Sequence, residues 1–78
     1  MEGPFIKSEL ALIKLVADGP NRVEALRIAE TFRARTLDVT LGSFVFELTG
    51  RPNKIDAFIA LMKSLGAVSY THLTLPTN

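Results

Sequence analysis

The chain has 78 residues, enough for one small domain, and 47% of them are hydrophobic, which argues against intrinsic disorder. Its formal net charge of +1 gives no electrostatic basis for binding nucleic acid or an anionic membrane. The chain contains no cysteine and no apolar run close to the roughly 20 residues of a membrane span. We therefore expect a cytoplasmic protein without disulfides or a transmembrane segment.

The first part of the chain predicts a leader followed by a strand. Residues 1–8 contain a Gly-Pro pair and no long apolar stretch, which is typical of a short leader. Residues 9–17, ELALIKLVA, are almost wholly apolar apart from Lys14, and the turn-forming Asp-Gly-Pro at 18–20 ends the run. This pattern indicates a buried strand.

Residues 21–33 change to a helical period. Four apolar residues recur at the spacing i, i+3, i+4 and i+7, namely Ala25, Ile28, Ala29 and Phe32. Leu26 widens this stripe. Asn21 and Glu24 have the spacing of a capping box, in which each side chain bonds the other residue's free amide.

The next segment alternates with a period of two. Its first run has apolar residues at Leu37, Val39 and Leu41, and its second run has them at Phe44, Phe46 and Leu48. Gly42 and Ser43 separate the two runs. Together they predict a hairpin with one buried face.

A second helical stripe follows, made of Ile55, Phe58, Ile59, Met62 and Leu65. Pro52 suits the first turn of this helix, where its missing amide costs nothing. Gly66 is placed to end the helix in a left-handed conformation. Residues 67–75 then predict a last strand before Pro76.

The predicted order is strand, helix, strand, strand, helix, strand. Right-handed crossovers and a helix-covered sheet make this a ferredoxin-like (ACT-like) βαββαβ sandwich in the α+β class. We expect a four-stranded antiparallel sheet with two helices on one face.

The residues of a catalytic or metal centre are missing from the sequence. His72 is the single histidine, no cysteine is present, and the five glycines stand singly at turns or in the leader. Hydrolytic triads, metal sites and phosphate-binding loops all need denser clusters than this. We therefore expect no enzymatic activity and no cofactor.

RNA binding is the alternative that this topology raises, because RNA recognition motifs stack bases on aromatic residues of the third strand. Turning Phe44 and Phe46 outward would bury Glu47, which costs several kcal/mol without a partner. The modest basic cluster of Arg27, Arg33 and Arg35 is explained by favourable charge near a helix C-terminus. We therefore expect no nucleic-acid partner.

The sheet face away from the helices predicts a protein contact. If Ala11, Ile13 and Leu15 face the helices, the other side of the first strand carries Leu10, Leu12, Lys14 and Val16. A solvent-facing sheet should be mostly polar on that side. Val45 extends this patch, with Lys14 and Glu47 as a cross-strand pair. The patch favours self-association or docking; the alternative is that the leader or tail folds over it.

Three blocks of the sequence carry a family resemblance. SELALIKL, RVEALRIAETFRARTLDVT and FVFELTGRPNKIDAFIALMKSLG resemble the C-terminal half of acetolactate synthase small subunits. The similarity covers residues 9–66, and the FRAR–DV and TG–P–KIDAF blocks, at the right separation, make it specific.

The resemblance implies a non-catalytic regulatory subunit of branched-chain amino-acid (valine, isoleucine and leucine) biosynthesis. It would bind and activate a catalytic subunit that uses thiamine diphosphate, Mg and FAD to condense two pyruvates, or pyruvate with 2-oxobutyrate. In this family an N-terminal ACT domain senses valine across a dimer. We expect that domain to be missing here, and a homodimer to form through it or through the open sheet face.

Two departures from the family pattern stand out. Arg51 occupies a position where the family favours aspartate, and arginine cannot cap the following helix. The ending VSYTHLTLPTN resembles a translated sequencing-library adapter rather than the family's last strand. We therefore expect residues 9–70 to form the domain and residues 67–78 to be a non-native tail.

The candidate partner-binding residues are Leu10, Leu12, Lys14, Val16, Arg33, Arg35 and Asp38. The first four lie on the open side of the first strand, and the others lie near the junction of the first helix with the next strand. The alternative function is a free-standing, dimeric, ACT-like amino-acid sensor. The Asp-Gly-Pro turn at 18–20 is only a faint version of the glycine-rich turn that such a sensor needs.

Overall fold

A computed structural model describes residues 8–75 of the chain. Its elements are β1 (Ser8–Val16), α1 (Pro20–Phe32), β2 (Arg35–Val39), β3 (Ser43–Gly50), α2 (Pro52–Lys63) and β4 (Ala67–Leu75). The predicted order of elements is confirmed. Ser8, expected to close the leader, is instead the first residue of β1; the rest of the leader and the last three residues of the expected tail lie outside the described residues.

The four strands form one antiparallel sheet in the order β2-β3-β1-β4. The long strands β1 and β3 occupy its centre, and buried residues alternate with more exposed ones from Leu10 to Val16 and from Ser43 to Thr49. Their buried sides face the two helices, so the predicted ferredoxin-like βαββαβ fold is confirmed.

The core fills the space between the central strands and the helices. Its largest fully buried side chains are Ile13, Leu15, Phe44, Phe46, Leu48, Ile55, Phe58 and Met62. Phe58 of α2 packs edge-on against Phe46 of β3, with ring centroids 5.8 Å apart, and against Phe32 of α1 at 5.4 Å. These ring contacts join both helices to the sheet. Burial of each large apolar side chain contributes about 1.5–3 kcal/mol to the stability of the fold.

The start of α1 differs from the prediction. The helix begins at Pro20, after Gly19, which has a φ of 59°, and the capping box of Asn21 and Glu24 does not form. Asn21 instead donates a hydrogen bond to the carbonyl of Leu65 at 3.0 Å. The proline sets the helix start one residue earlier, because its fixed φ already suits the first turn. Leu26, expected in the buried stripe, is 45% exposed.

The end of α1 is a left-handed turn at Arg33, whose φ is 60°. The Arg33 amide donates to the carbonyl of Glu30 at 3.0 Å, and the Ala34 amide donates to that of Ala29 at 2.8 Å. These two bonds form a Schellman motif. Its left-handed position, here Arg33, is usually glycine, because glycine has no Cβ to clash with the backbone.

The predicted hairpin is confirmed, but the prediction of one buried face holds only for β3. Every residue of β2 is exposed, and Leu37, Val39 and Leu41 are exposed by 47%, 56% and 99%. The reason is position, because β2 lies at the edge of the sheet, where the helices cover little of it.

The junction from α2 to β4 also differs from the prediction. Gly66 does not adopt a left-handed conformation; among the described glycines only Gly19 has a positive φ. Gly66 instead passes close to the end of β1, where an added Cβ would lie 2.1 Å from the carbonyl oxygen of Val16. At the other end of α2, Arg51 makes no side-chain cap, as expected.

Candidate protein-binding face

The open face is the side of the sheet that points away from the helices. Residues directly opposite each other in an antiparallel pair project to the same side, so the strand register defines this face. Its residues are Leu10, Leu12, Lys14 and Val16 of β1, Ser43, Val45, Glu47 and Thr49 of β3, Ala67, Ser69, Thr71 and Leu73 of β4, and Arg35 and Asp38 of β2.

Apolar side chains run along the middle of the open face. Leu12 is 38% exposed and Val16 is 49% exposed, whereas Leu10 and Val45 are partly buried by their neighbours. Leu73 of β4, at 54% exposed, lies opposite Leu10 and extends the strip to the edge of the sheet. The predicted apolar patch on β1 is confirmed.

A register shift in β2 brings two charged residues onto this face. Arg35 lies opposite Glu47 and Asp38 lies opposite Val45, and the ladder is irregular between Thr36 and Asp38. In a regular strand, residues 35 and 38 would point to opposite sides. The bulge adds one residue, so both project to the open face.

The ion pair on the open face is not the one that the sequence predicted. Lys14 lies opposite Val45 and Leu12 lies opposite Glu47, so the expected pairing of Lys14 with Glu47 is wrong. Arg35 approaches Glu47 instead, with Nη1 3.5 Å from Oε1. An exposed pair of this kind contributes at most about 1 kcal/mol, so it orients the two side chains more than it stabilises the fold.

Arg33 lies apart from the other candidates. It occupies the left-handed turn after α1, beside a surface cavity of about 420 Å³ that Thr31, Phe32 and Lys54 also line. Six of the seven predicted residues therefore share the open face, and Arg33 does not.

Two of the three arginines in the basic cluster of Arg27, Arg33 and Arg35 have a carboxylate neighbour. Arg27 bonds Glu24 with Nη2 2.7 Å from Oε2, and Arg35 approaches Glu47. The hydrogen bond from Arg27 lowers the pKa of Glu24 below its ordinary 4.5 and, in turn, raises the pKa of Arg27. These contacts offer little free positive charge to a phosphate.

The surface for stacking RNA bases is not formed. Phe44 and Phe46 are 1% and 0% exposed, and their rings stack on each other beneath the helices at 5.4 Å. The prediction that both rings belong to the core is confirmed. His72 contacts the Glu9 carboxylate across β1 and β4, which gives it a structural neighbour in the sheet.

The cavity beside the turn after β1 lacks some of the groups needed to bind an amino acid. The cavity there is about 270 Å³ and is lined by Val16, Ala17, Asp18, Gly42, Leu65 and Gly66. Asp18 can bind an ammonium group, but among these lining residues no cation is available for a carboxylate. The shallow depression on the open face, about 250 Å³, is smaller than the roughly 300 Å³ at which ligand pockets begin.

Within residues 8–75, no group of three or more His, Cys, Asp or Glu side chains is placed to hold a metal ion. Over the same residues, neither helix has the length and apolar character needed to cross a membrane.

Sequence reasoning missed the share of the open face that comes from β4. Ser69, Thr71 and Leu73 were expected to lie in a strand, but only the register with β1 assigns them to this face. The period-two spacing of these residues, combined with the pairing of β4 with β1, could have predicted that they lie on the open face.

Comparison with known protein families found one family model that matches most of the chain. The model of a family described as the small subunit of acetolactate synthase matches residues 8–72. This chain belongs to that family. The resemblance seen in the three sequence blocks is thereby confirmed, whereas the foreign origin expected for residues 67–78 stays a prediction.

Curated acetolactate synthase small subunits align with much of the chain. The protein of Bacillus subtilis is 46% identical over 62 residues, which cover 80% of this chain and 36% of that protein. The probable small subunit of Archaeoglobus fulgidus is 41% identical over 61 residues, which cover 78% of this chain and 38% of that protein. The chain thus spans little more than a third of the length of these relatives.

A solved small subunit has the same fold. The crystal structure of the acetolactate synthase small subunit from Thermotoga maritima superimposes with a TM-score of 0.72 at 29% identity. The similarity covers 90% of this chain and 45% of the Thermotoga chain.

Proposed function

We propose that this chain is a non-catalytic regulatory module that binds the catalytic subunit of acetolactate synthase and raises its rate in branched-chain amino-acid biosynthesis. Membership of the small-subunit family supports this proposal, because a subunit of that name acts beside a larger partner. The catalytic subunit would supply thiamine diphosphate, Mg and FAD, and this chain would supply only a binding surface.

The observation that carries the proposal is the open face. One continuous surface combines an apolar strip around Leu12 and Val16 with the charged residues Arg35 and Asp38 at its β2 side. Protein interfaces have this arrangement, with an apolar centre and a polar rim. Burying apolar area stabilises a complex by about 25 cal/mol per Å², so the strip would supply affinity and the charges would orient the partner.

The first test measures acetolactate formation by a purified catalytic subunit with and without this chain. We expect the chain to increase the rate and to co-purify with the catalytic subunit. Leu12→Lys should weaken activation by roughly tenfold or more, because it places a charge in the apolar centre of the contact.

Leu41→Lys is the matched control. Leu41 is 99% exposed in the turn between β2 and β3, away from the open face, so the same substitution there should leave activation unchanged. Equal effects of the two variants, with both folds intact by circular dichroism, would show that the open face is not the contact.

A second pair of variants separates the two groups of candidates. Arg35→Glu lies on the open face, whereas Arg33→Glu lies at the end of α1. We expect the first variant to reduce activation and the second to leave it near the wild-type value. The reverse result would move the contact to the cavity beside Arg33 and Lys54.

Calorimetric titration with valine, leucine and isoleucine tests the alternative of an amino-acid sensor. We expect no binding heat, because the cavity beside Asp18 offers no cation to a ligand carboxylate. Saturable binding that Asp18→Asn abolishes would favour the sensor instead.

A further inference from the structure

We propose that the surface cavity at the end of α1 binds a small phosphate monoester. Arg33 and Lys54 hold the phosphate group, and Phe32 packs against the organic group. None of these residues belongs to the open face, so the inference stands independently of the proposed function.

The cavity lies between the last turn of α1 and the first turn of α2. It is lined by Thr31, Phe32, Arg33 and Lys54 and has a volume of about 420 Å³. Ligand pockets begin at roughly 300 Å³. The cavity beside Asp18 and the depression on the open face, at about 270 and 250 Å³, are smaller than this. The cavity at the end of α1 therefore has room for a small ligand.

The guanidinium of Arg33 is free to bind a ligand. Within residues 8–75, its side chain makes no hydrogen bond, ion pair or ring contact, whereas Arg27 and Arg35 each approach a carboxylate. A guanidinium has five N–H donors in a planar fork, which can donate to two phosphate oxygens at once. Arg33 therefore supplies the group that phosphate recognition most often uses.

The backbone of Arg33 gives a second reason to assign it a ligand. Its φ of 60° is a left-handed conformation, in which the Cβ of an arginine is crowded and glycine is favoured. No contact of the side chain within the described residues offsets this strain. Residues held in strained backbone conformations cluster at ligand sites. A bound anion would account for an arginine at this position.

Lys54 supplies the second positive charge. It is the third residue of α2, and its Nζ lies 3.5 Å from the Thr49 carbonyl oxygen, a weak bond that uses one of three N–H donors. The start of α2 favours an anion and the end of α1 disfavours it, so the two helix dipoles oppose each other. No carboxylate lines the cavity. The two side-chain cations therefore determine which ligand charge the cavity accepts.

The chemistry of the lining favours a phosphate monoester over a carboxylate. A phosphate monoester carries about −1.5 to −2 charges at pH 7, close to the charge of two cations, whereas a carboxylate carries one. Phe32 is partly buried, with one contact to Phe58 at 5.4 Å, and offers its remaining surface to an apolar group. Thr31 donates its hydroxyl to the Arg27 carbonyl at 2.9 Å, and its oxygen can still accept a bond from a ligand hydroxyl.

Titration of the whole chain with phenyl phosphate, followed by NMR of the backbone amides, tests the proposal. We expect saturable shifts at residues 31–34 and at Lys54. Inorganic phosphate should bind roughly tenfold more weakly, because it has no ring to pack against Phe32. Benzoate should also bind roughly tenfold more weakly, because it has the ring but a smaller charge.

Three variants locate the site. Arg33→Gly suits the left-handed turn, so we expect a more stable fold that binds phenyl phosphate roughly tenfold or more weakly. Lys54→Gln should weaken binding severalfold. Lys63→Gln is the matched control, because it removes the same charge from the same helix nine residues on, about 13 Å away. It should leave the dissociation constant unchanged, and circular dichroism verifies that each variant folds.

Several results would overturn the proposal. One is the absence of saturable shifts at residues 31–34 with phenyl phosphate, and another is unchanged binding in Arg33→Gly. Equal weakening by Lys54→Gln and Lys63→Gln would show general attraction to positive charge instead of a site. Equal affinity for benzoate would contradict the assignment to phosphate, and equal affinity for inorganic phosphate would contradict the role of Phe32.

Discussion

Replacing Gly66 by alanine tests the close approach between the α2–β4 junction and β1. The new Cβ would lie 2.1 Å from the Val16 carbonyl oxygen, whereas ordinary contact begins near 3.4 Å, so one backbone segment must move by about 1.3 Å. Val16 lies opposite Ala67 at the first step of the β1–β4 ladder, which that movement would open. Overpacking of this kind costs about 1–3 kcal/mol, and a rigid backbone obstacle places the cost near 3 kcal/mol.

That cost is large for so small a domain. At roughly 0.05–0.15 kcal/mol per residue, a chain of 78 residues has a free energy of unfolding of about 4–12 kcal/mol. A loss near 3 kcal/mol lowers the melting temperature by roughly 12–24 °C. Urea unfolding followed by circular dichroism measures the change directly, provided that the slope of the transition stays constant.

Two further variants test whether position 66 requires glycine for lack of space or for its backbone conformation. Gly42→Ala is the matched control, because among the described residues no atom outside Gly42 and its two chain neighbours lies within 4 Å of the point that its new Cβ would occupy; we expect a change within about 0.5 kcal/mol. Gly66→Asn should destabilise at least as much as Gly66→Ala. Rescue by asparagine, which tolerates left-handed turns, or equal stability of Gly66→Ala and Gly42→Ala would refute the explanation by close approach.

Three other changes have measurable outcomes. Arg33→Gly should raise the free energy of unfolding by about 1 kcal/mol in urea titrations, because glycine adopts the left-handed turn after α1 without strain. Arg22→Ala should lower it by about 1–2 kcal/mol, because the guanidinium lies 4.2 Å from the Phe44 ring centroid and donates to a carbonyl of the β2–β3 turn. By NMR titration, the pKa of Glu24 should lie below 4.5 and return toward it in Arg27→Gln. Because the pKa of Glu24 is lowered in the folded state, the small stabilisation from its contact with Arg27 is present above pH 4.5. It is lost as the pH falls through the lowered pKa.

Hydrophobic periodicity was enough to predict the architecture. Alternation in β3 and the stripe of α2 placed Phe46 and Phe58 in the core, where both are fully buried. β1 is almost wholly apolar and has no such alternation, so its orientation was a condition, and the burial of Ala11, Ile13 and Leu15 now meets it. The assignments in β3 and α2 succeed because the spacing of their apolar residues fixes which face points inward.

Features that depend on position in the sheet were not readable from the spacing. Leu37 alternates with polar neighbours like a buried strand residue, but an edge strand receives little cover from the helices. The bulge that unites Arg35 with Asp38 depends on pairing with β3, and the role of Gly66 depends on the carbonyl of Val16, which is far away along the chain. The spacing of residues within one segment does not show which distant segment will lie beside it.

The bulge in β2 also has a consequence for assembly. A sheet that could add strands at both sides would polymerise without limit, whereas one blocked side makes growth stop after a single joining step. In this sheet β2 forms one of the two edges, and it is short, irregular and charged. The same irregularity that gathers Arg35 and Asp38 on one surface thus guards against filaments.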